Sequence, residues 1–113
     1  MQIRVERHQA AVVVSATGEL DAFLAPQLEE AFTQAADGAP LLVDLSRVSF
    51  IDSTALGMVT RAIRGQHDYE RTARIVLPRG SARRIFEITT LDRVLPLAES
   101  RETALSELRK ASS

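Results

Sequence analysis

The stretch Val43-Asp44-Leu45-Ser46-Arg47-Val48-Ser49-Phe50-Ile51-Asp52-Ser53-Thr54-Ala55-Leu56-Gly57-Met58-Val59 decides the reading of this chain. Its apolar opening, Leu41 to Leu45, is too short for a lone helix and has the character of a buried strand. Beyond Phe50 and Ile51 the chain reaches Asp52-Ser53-Thr54, and apolar residues then recur at Leu56, Val59 and Ile63, a helical spacing. A strand therefore feeds a helix that begins on a carboxylate and two hydroxyls. Asp, Ser and Thr suit such a start because their oxygens accept the free backbone N–H groups of the first turn. The same place also suits a phosphate, since the helix dipole and the unpaired N–H groups favour negative charge there.

Outward from this stretch the pattern alternates. Ile3 and Val5 interleave with Gln2, Arg4 and Glu6 as in a half-buried strand, and Ala10 to Ala16 read as a second strand, with a turn at His8-Gln9. Gly18-Glu19-Leu20-Asp21 reads as a sharp turn that ends this strand, with Asp21 as the cap of the next segment. Leu24, Leu28, Phe32 and Ala35 share one helical face, and Pro26 falls in the first turn, where a missing N–H costs least. Asp37-Gly38-Ala39-Pro40 stops that helix. The helix after Ser53 is expected to end near Gly65, and Arg74 to Pro78 to form a strand. Ser81 is expected to cap a helix that turns Ile85, Phe86 and Ile88 inward and leaves Arg83 and Arg84 exposed. Leu91, Val94, Leu95 and Leu97 form a short apolar patch, strand or turn, and Thr103 to Lys110 an amphipathic helix before a fraying end at residues 111–113. The order β-β-α-β-α-β-α-(β)-α predicts an α/β fold: a mixed, largely parallel sheet with helices packed on it.

Composition narrows the chemistry. The length suits one compact domain over residues 1–113. No Cys is present, so disulfides and thiolate chemistry are excluded. The start, Met1-Gln2-Ile3-Arg4-Val5-Glu6, is no signal peptide, and no apolar run approaches a membrane span; a cytoplasmic domain is the expectation. His8 and His67 stand alone, without further ligands at metal spacing. The glycines form neither a P-loop nor a dinucleotide fingerprint, and Ser53 lacks the glycines of a nucleophile elbow. The chain is therefore not expected to be an enzyme or to hold a cofactor. Charge is uneven: residues 1–60 carry three Arg against eight acidic groups, net −5, while residues 61–93 carry eight Arg against four, net +4. Such asymmetry can steer a charged partner.

Val43-Asp44-Leu45-Ser46 followed by Phe50-Ile51-Asp52-Ser53-Thr54-Ala55-Leu56-Gly57 resembles the signature of STAS domains, and among them the bacterial anti-sigma factor antagonists. Thr17-Gly18-Glu19-Leu20-Asp21 resembles the Gly-Glu-Leu-Asp turn of the same family, in matching order and separation. The resemblance covers nearly the whole chain and implies the STAS fold. It further implies a partner switch: the unphosphorylated protein binds an anti-sigma factor that is also a serine protein kinase and so frees a sigma factor, with no direct contact to nucleic acid. Phosphorylation of the Ser after the Asp, here Ser53 with Thr54 the alternative acceptor, ends that binding, and a phosphatase acting on phospho-Ser53 restores it. Asp21 and Asp52 are implied to share the recognised surface with Ser53 and Thr54, framed by Leu56, Gly57 and Met58. Leu56 also fits the core by its periodicity, and a Gly at 57 inside a helix implies close approach by another element or by a partner. Other STAS roles are a stressosome-like scaffold and the STAS subunit of a lipid-transport ABC system.

Overall fold

A computed structural model describes residues 2–8 and 11–111. Five strands form one sheet in sequence order: β1 (Ile3–His8), β2 (Ala11–Leu20), β3 (Leu41–Ile51), β4 (Ala73–Val76) and β5 (Leu97–Ala98). β1 runs antiparallel to β2, and the remaining neighbours are parallel. The mixed, largely parallel sheet is thus present. Gln9, Ala10 (the expected start of the second strand) and the chain end from Ser112 lie outside the described residues; His8 closes β1 and is exposed.

Each parallel step needs a crossover, and the sheet always grows in one direction. Crossovers of a single hand then stack their helices on one face. These are α1 (Ala25–Ala35), α2 (Ser53–Arg64) and α4 (Ser81–Ile88); a single turn, α3 (Tyr69–Thr72), precedes β4. Leu28 and Ala31 of α1, Val59 and Ile63 of α2 and Phe86 of α4 share one core with Val12, Val14, Val43, Leu45 and Ile75. The alternate strand residues Ala11, Val13, Leu42 and Val76 point to the other face. There α5 (Arg101–Ala111) covers them with Ala104, Leu105 and Leu108. Burial on both faces explains the unbroken apolar runs of β2 and β3.

One carboxylate lies under α5. Asp44 is 6% exposed, and its Oδ2 accepts from the Arg101 guanidinium, with Nε at 2.9 Å and Nη2 at 2.8 Å. Its Oδ1 accepts the Ser46 N–H at 2.9 Å. Burial alone would raise this carboxyl, but the hydrogen bonds from Ser46 and Arg101 outweigh it and hold Asp44 below its ordinary range. The pair pins the first turn of α5 to the sheet.

Several local expectations change. β2 does not end at Gly18 but runs through it to Leu20, because Gly18, at φ +82°, lies at register irregularities in the β2–β3 ladder. It is a kink within a strand rather than a turn. Ser81 is the first residue of α4, not its cap; Gly80 precedes it without a side-chain cap, and the Ser81 hydroxyl donates to the Ser49 carbonyl at 3.2 Å. Phe86 is buried, but Ile88 is 72% exposed: α4 buries its Ala82–Phe86 face, and Ile88, two residues past Phe86, stands about 200° round the helix from it. Arg83 is only half-exposed; its guanidinium donates to the Leu77 carbonyl at 2.9 Å. The patch after α4 becomes a 3₁₀ turn, Leu91–Arg93, and the two-residue β5.

Candidate functional site

β3 outruns β4. Asp44 lies opposite Val76, where β4 ends, yet β3 continues to Ile51 with β2 alone beside it. The free flank of this extension meets the start of α4 through the Ser81–Ser49 bond. The result is a two-stranded promontory at the carboxyl ends of the strands. Leu20 and Ile51 are its last pair, and the Asp52 N–H donates to the Leu20 carbonyl at 3.1 Å. Asp21 and Asp52 therefore leave their strands side by side.

Asp52 ties the tip together. Its backbone is extended (φ −92°, ψ 176°), as an N-cap requires. Oδ1 accepts the Ala55 N–H at 2.9 Å and caps α2, while Oδ2 accepts the Ala22 N–H at 2.8 Å. One carboxylate thus joins the start of α2 to the turn after β2. Asp21 organises that turn: its Oδ1 accepts the Phe23 N–H at 3.1 Å and its carbonyl the Leu24 N–H at 3.0 Å. The expected capping role of Asp21 holds, although the element it caps is a 3₁₀ turn, Ala22–Leu24, ahead of α1.

Ser53 and Thr54 are the first two residues of α2, and both are exposed. Their N–H groups precede the first i→i−4 bond of the helix, which Leu56 makes to Asp52 at 2.9 Å. Among the described residues neither hydroxyl enters a hydrogen bond, so both are open to an incoming group. The remaining predicted residues divide. Leu56 is buried in the core. Met58 is half-buried and lines the groove between α1 and α2 with Phe32 and Arg61. A Cβ on Gly57 would approach only the Arg61 guanidinium, at 3.3 Å, the movable end of a long side chain. No other element of the described fold presses on Gly57.

A separate groove of about 660 Å³ lies on the α5 side of the sheet, among Arg4, Ser15, Asp44, Arg47 and Arg101. It is polar and of mixed charge, and Ser53 is not part of it. Among the described residues no three His, Asp or Glu side chains gather as metal ligands, and no helix is long and apolar enough to cross a membrane.

Three features carry no local sequence signal. The Asp52–Ala22 bond spans thirty positions without a local signal. Asp44 meets Arg101 across fifty-seven positions, on a face fixed only by β3 and α5 together. Phe23, 84% exposed, sits beside an inward Leu24 in a turn where helical periodicity does not apply.

Comparison with known families matches residues 2–104 to the STAS domain. The anti-sigma-B factor antagonist of Listeria monocytogenes is 35% identical over 96 residues, covering 81% of this chain and 82% of that protein. Its counterpart from Staphylococcus aureus is 33% identical over 91 residues, covering 79% and 84%. The crystal structure of an anti-sigma factor antagonist from Mycobacterium paratuberculosis superposes with a TM-score of 0.86 at 34% identity, covering 95% of this chain and 92% of that one.

Proposed function

Because the chain belongs to the STAS domain family, we propose that it is an anti-sigma factor antagonist switched by phosphorylation at Ser53. Unphosphorylated, it binds an anti-sigma factor that is also a serine kinase, and the sigma factor is released. The kinase then transfers a phosphoryl group from ATP to the Ser53 hydroxyl oxygen, ADP leaves, and the complex comes apart. A phosphatase returns the protein to its binding form. All of this takes place in the cytoplasm, and the chain itself catalyses nothing.

The observation that carries the reading is the state of Ser53: an exposed hydroxyl without a hydrogen bond among the described residues, next to a carboxylate whose two oxygens are both engaged. A kinase can take such a hydroxyl without breaking the fold. The product adds about −1.5 to −2 charge. The α2 dipole and its free N–H groups tolerate that charge within the protein. Across an interface the effect reverses. Asp21 and Asp52 already make this tip negative, so the added charge repels the nucleotide phosphates that the kinase holds against Ser53. A penalty of about 3 kcal/mol corresponds to more than a hundredfold in affinity. Thr54, one residue further into the helix, is the alternative acceptor.

Paired pull-downs from native-host lysate with Ser53→Ala and Ser53→Asp baits test this. The proposal expects an ATP-binding kinase to be retained by Ser53→Ala and lost by Ser53→Asp. Equal recovery of the same partners by both baits would reduce Ser53 to part of a helix start and bring a scaffold or transport role forward.

A further inference from the structure

Phe23 is the most exposed large apolar side chain among the described residues, at 84%. Its neighbours show that this is not a loose loop. The Phe23 N–H is held by Asp21 Oδ1, the preceding N–H of Ala22 by Asp52 Oδ2, and the following N–H of Leu24 by the Asp21 carbonyl. Leu24 packs against the core. The backbone of the turn is thus fixed on both sides, with Leu24 turned in and Phe23 turned out. A polar side chain at position 23 would keep every one of these bonds. The fold does not use the ring, and an aromatic ring held in water forgoes burial that most proteins arrange for it.

The surroundings of the ring define its counterpart. The charged groups nearest the turn in sequence are Glu19, Asp21 and Asp52; the one cation on the two-stranded extension, Arg47, lies further back, opposite Thr17. An apolar anchor flanked by carboxylates fits an apolar pocket rimmed by cations or N–H donors. Rigidly presented aromatics of this kind dominate protein interfaces, because little side-chain entropy is lost when they seat.

We infer that Phe23 is the anchor with which this chain seats on its anti-sigma factor kinase, filling an apolar pocket with a basic rim and so presenting Ser53 for transfer. The inference rests on the proposed function and assigns Asp21 a specific part in it. Asp21 is a positioning residue that fixes the Phe23 backbone, in addition to whatever its charge contributes.

The test uses the full chain and the purified kinase recovered by the Ser53→Ala bait, with wild type, Phe23→Ala and Ile88→Ala compared. Ile88 is the control because it is also strongly exposed, at 72%, but closes the far end of α4. Phe23→Ala should weaken binding by roughly thirtyfold or more, the scale of an interface hot spot. It should raise KM for phosphorylation at Ser53 with little change in kcat, and leave the unfolding midpoint of the free protein where it was. Ile88→Ala should bind within about twofold of wild type. Phe23→Ala binding within about threefold of a wild type that does bind would overturn the inference and leave the proposed function standing. Equal weakening by both substitutions would also overturn it, since exposed apolar area anywhere would then suffice. A wild type that the kinase neither binds nor phosphorylates would remove the premise itself.

Discussion

Replacing Asp52 by Ala tests the architecture of the tip. Two hydrogen bonds vanish at once: the cap to Ala55 at 2.9 Å and the bridge to Ala22 at 2.8 Å. Loss of an N-cap costs about 1 kcal/mol, within a range of roughly 0.5–2. The second bond is charge-assisted but lies near the surface, and the freed Ala22 N–H reaches water, so about 1–1.5 kcal/mol is a fair figure. Together Asp52→Ala should cost about 2–3 kcal/mol, or about 8–15 °C in Tm for a domain of this size. Two milder substitutions separate the bonds. Asp52→Ser keeps a cap but is too short for the bridge. Asp52→Asn keeps one acceptor oxygen and turns a donor toward one of the two amides. Each should lose about half of the Ala effect, whereas Ser53→Ala, which removes no hydrogen bond, should stay within about 0.5 kcal/mol of wild type. Urea unfolding followed by circular dichroism measures all four, and amide exchange at Ala22 and Ala55 locates the change. Asp52→Ala unfolding within about 0.5 kcal/mol of wild type would mean that these two bonds do not hold the tip.

Gly57→Ala should stabilise the free protein by about 0.5–1 kcal/mol, because a Cβ there meets only the movable Arg61 guanidinium. The same substitution should weaken kinase binding, read by calorimetric titration, if the Gly is kept for a partner's approach. Asp44 is held below its ordinary value of 3.8, so the unfolded chain takes up the proton first as pH falls. The stability from Asp44 is complete above about pH 4 and is lost as pH falls through that range to its folded value. Asp44→Asn should cost about 2–3 kcal/mol at pH 7, leaving Arg101 only Glu6, and should flatten acid unfolding curves below pH 4. Gly18→Ala should cost about 1–2 kcal/mol by denaturation, since φ is +82° and the new Cβ would press on the Gln2 amide at 3.1 Å.

What the sequence reveals depends on range. The buried run Leu41–Leu45 and the 3.6-residue recurrence Leu56, Val59, Ile63 carry their own period, and they mark β3 and α2 with the boundary at Asp52. The capping chemistry of Asp21 and Asp52 is likewise local, because a cap acts within three residues. Two misreadings share one cause. Gly18 suggests a turn and Ser81 a cap, but each is set by neighbours distant in sequence: β3 draws the ladder through Gly18, and the Ser49 carbonyl takes the Ser81 hydroxyl. Ile88 follows Ile85 at helical spacing, yet the face that α4 buries carries Ala82 and Phe86, and only the packing against the sheet fixes that choice. The tip shows the same division. Its residue types are legible in the sequence, while the second bond of Asp52 and the outward ring of Phe23 appear only once β2 and β3 stand side by side.

The central claim is that one hydroxyl controls partner binding. The most direct test phosphorylates the purified protein with its kinase and ATP, maps the site by mass spectrometry, and titrates kinase with both forms. The account predicts a single phosphate on Ser53, an unchanged circular dichroism spectrum, and affinity reduced by about a hundredfold or more. Equal affinity of the two forms, or a phosphate placed away from Ser53 and Thr54, would contradict it.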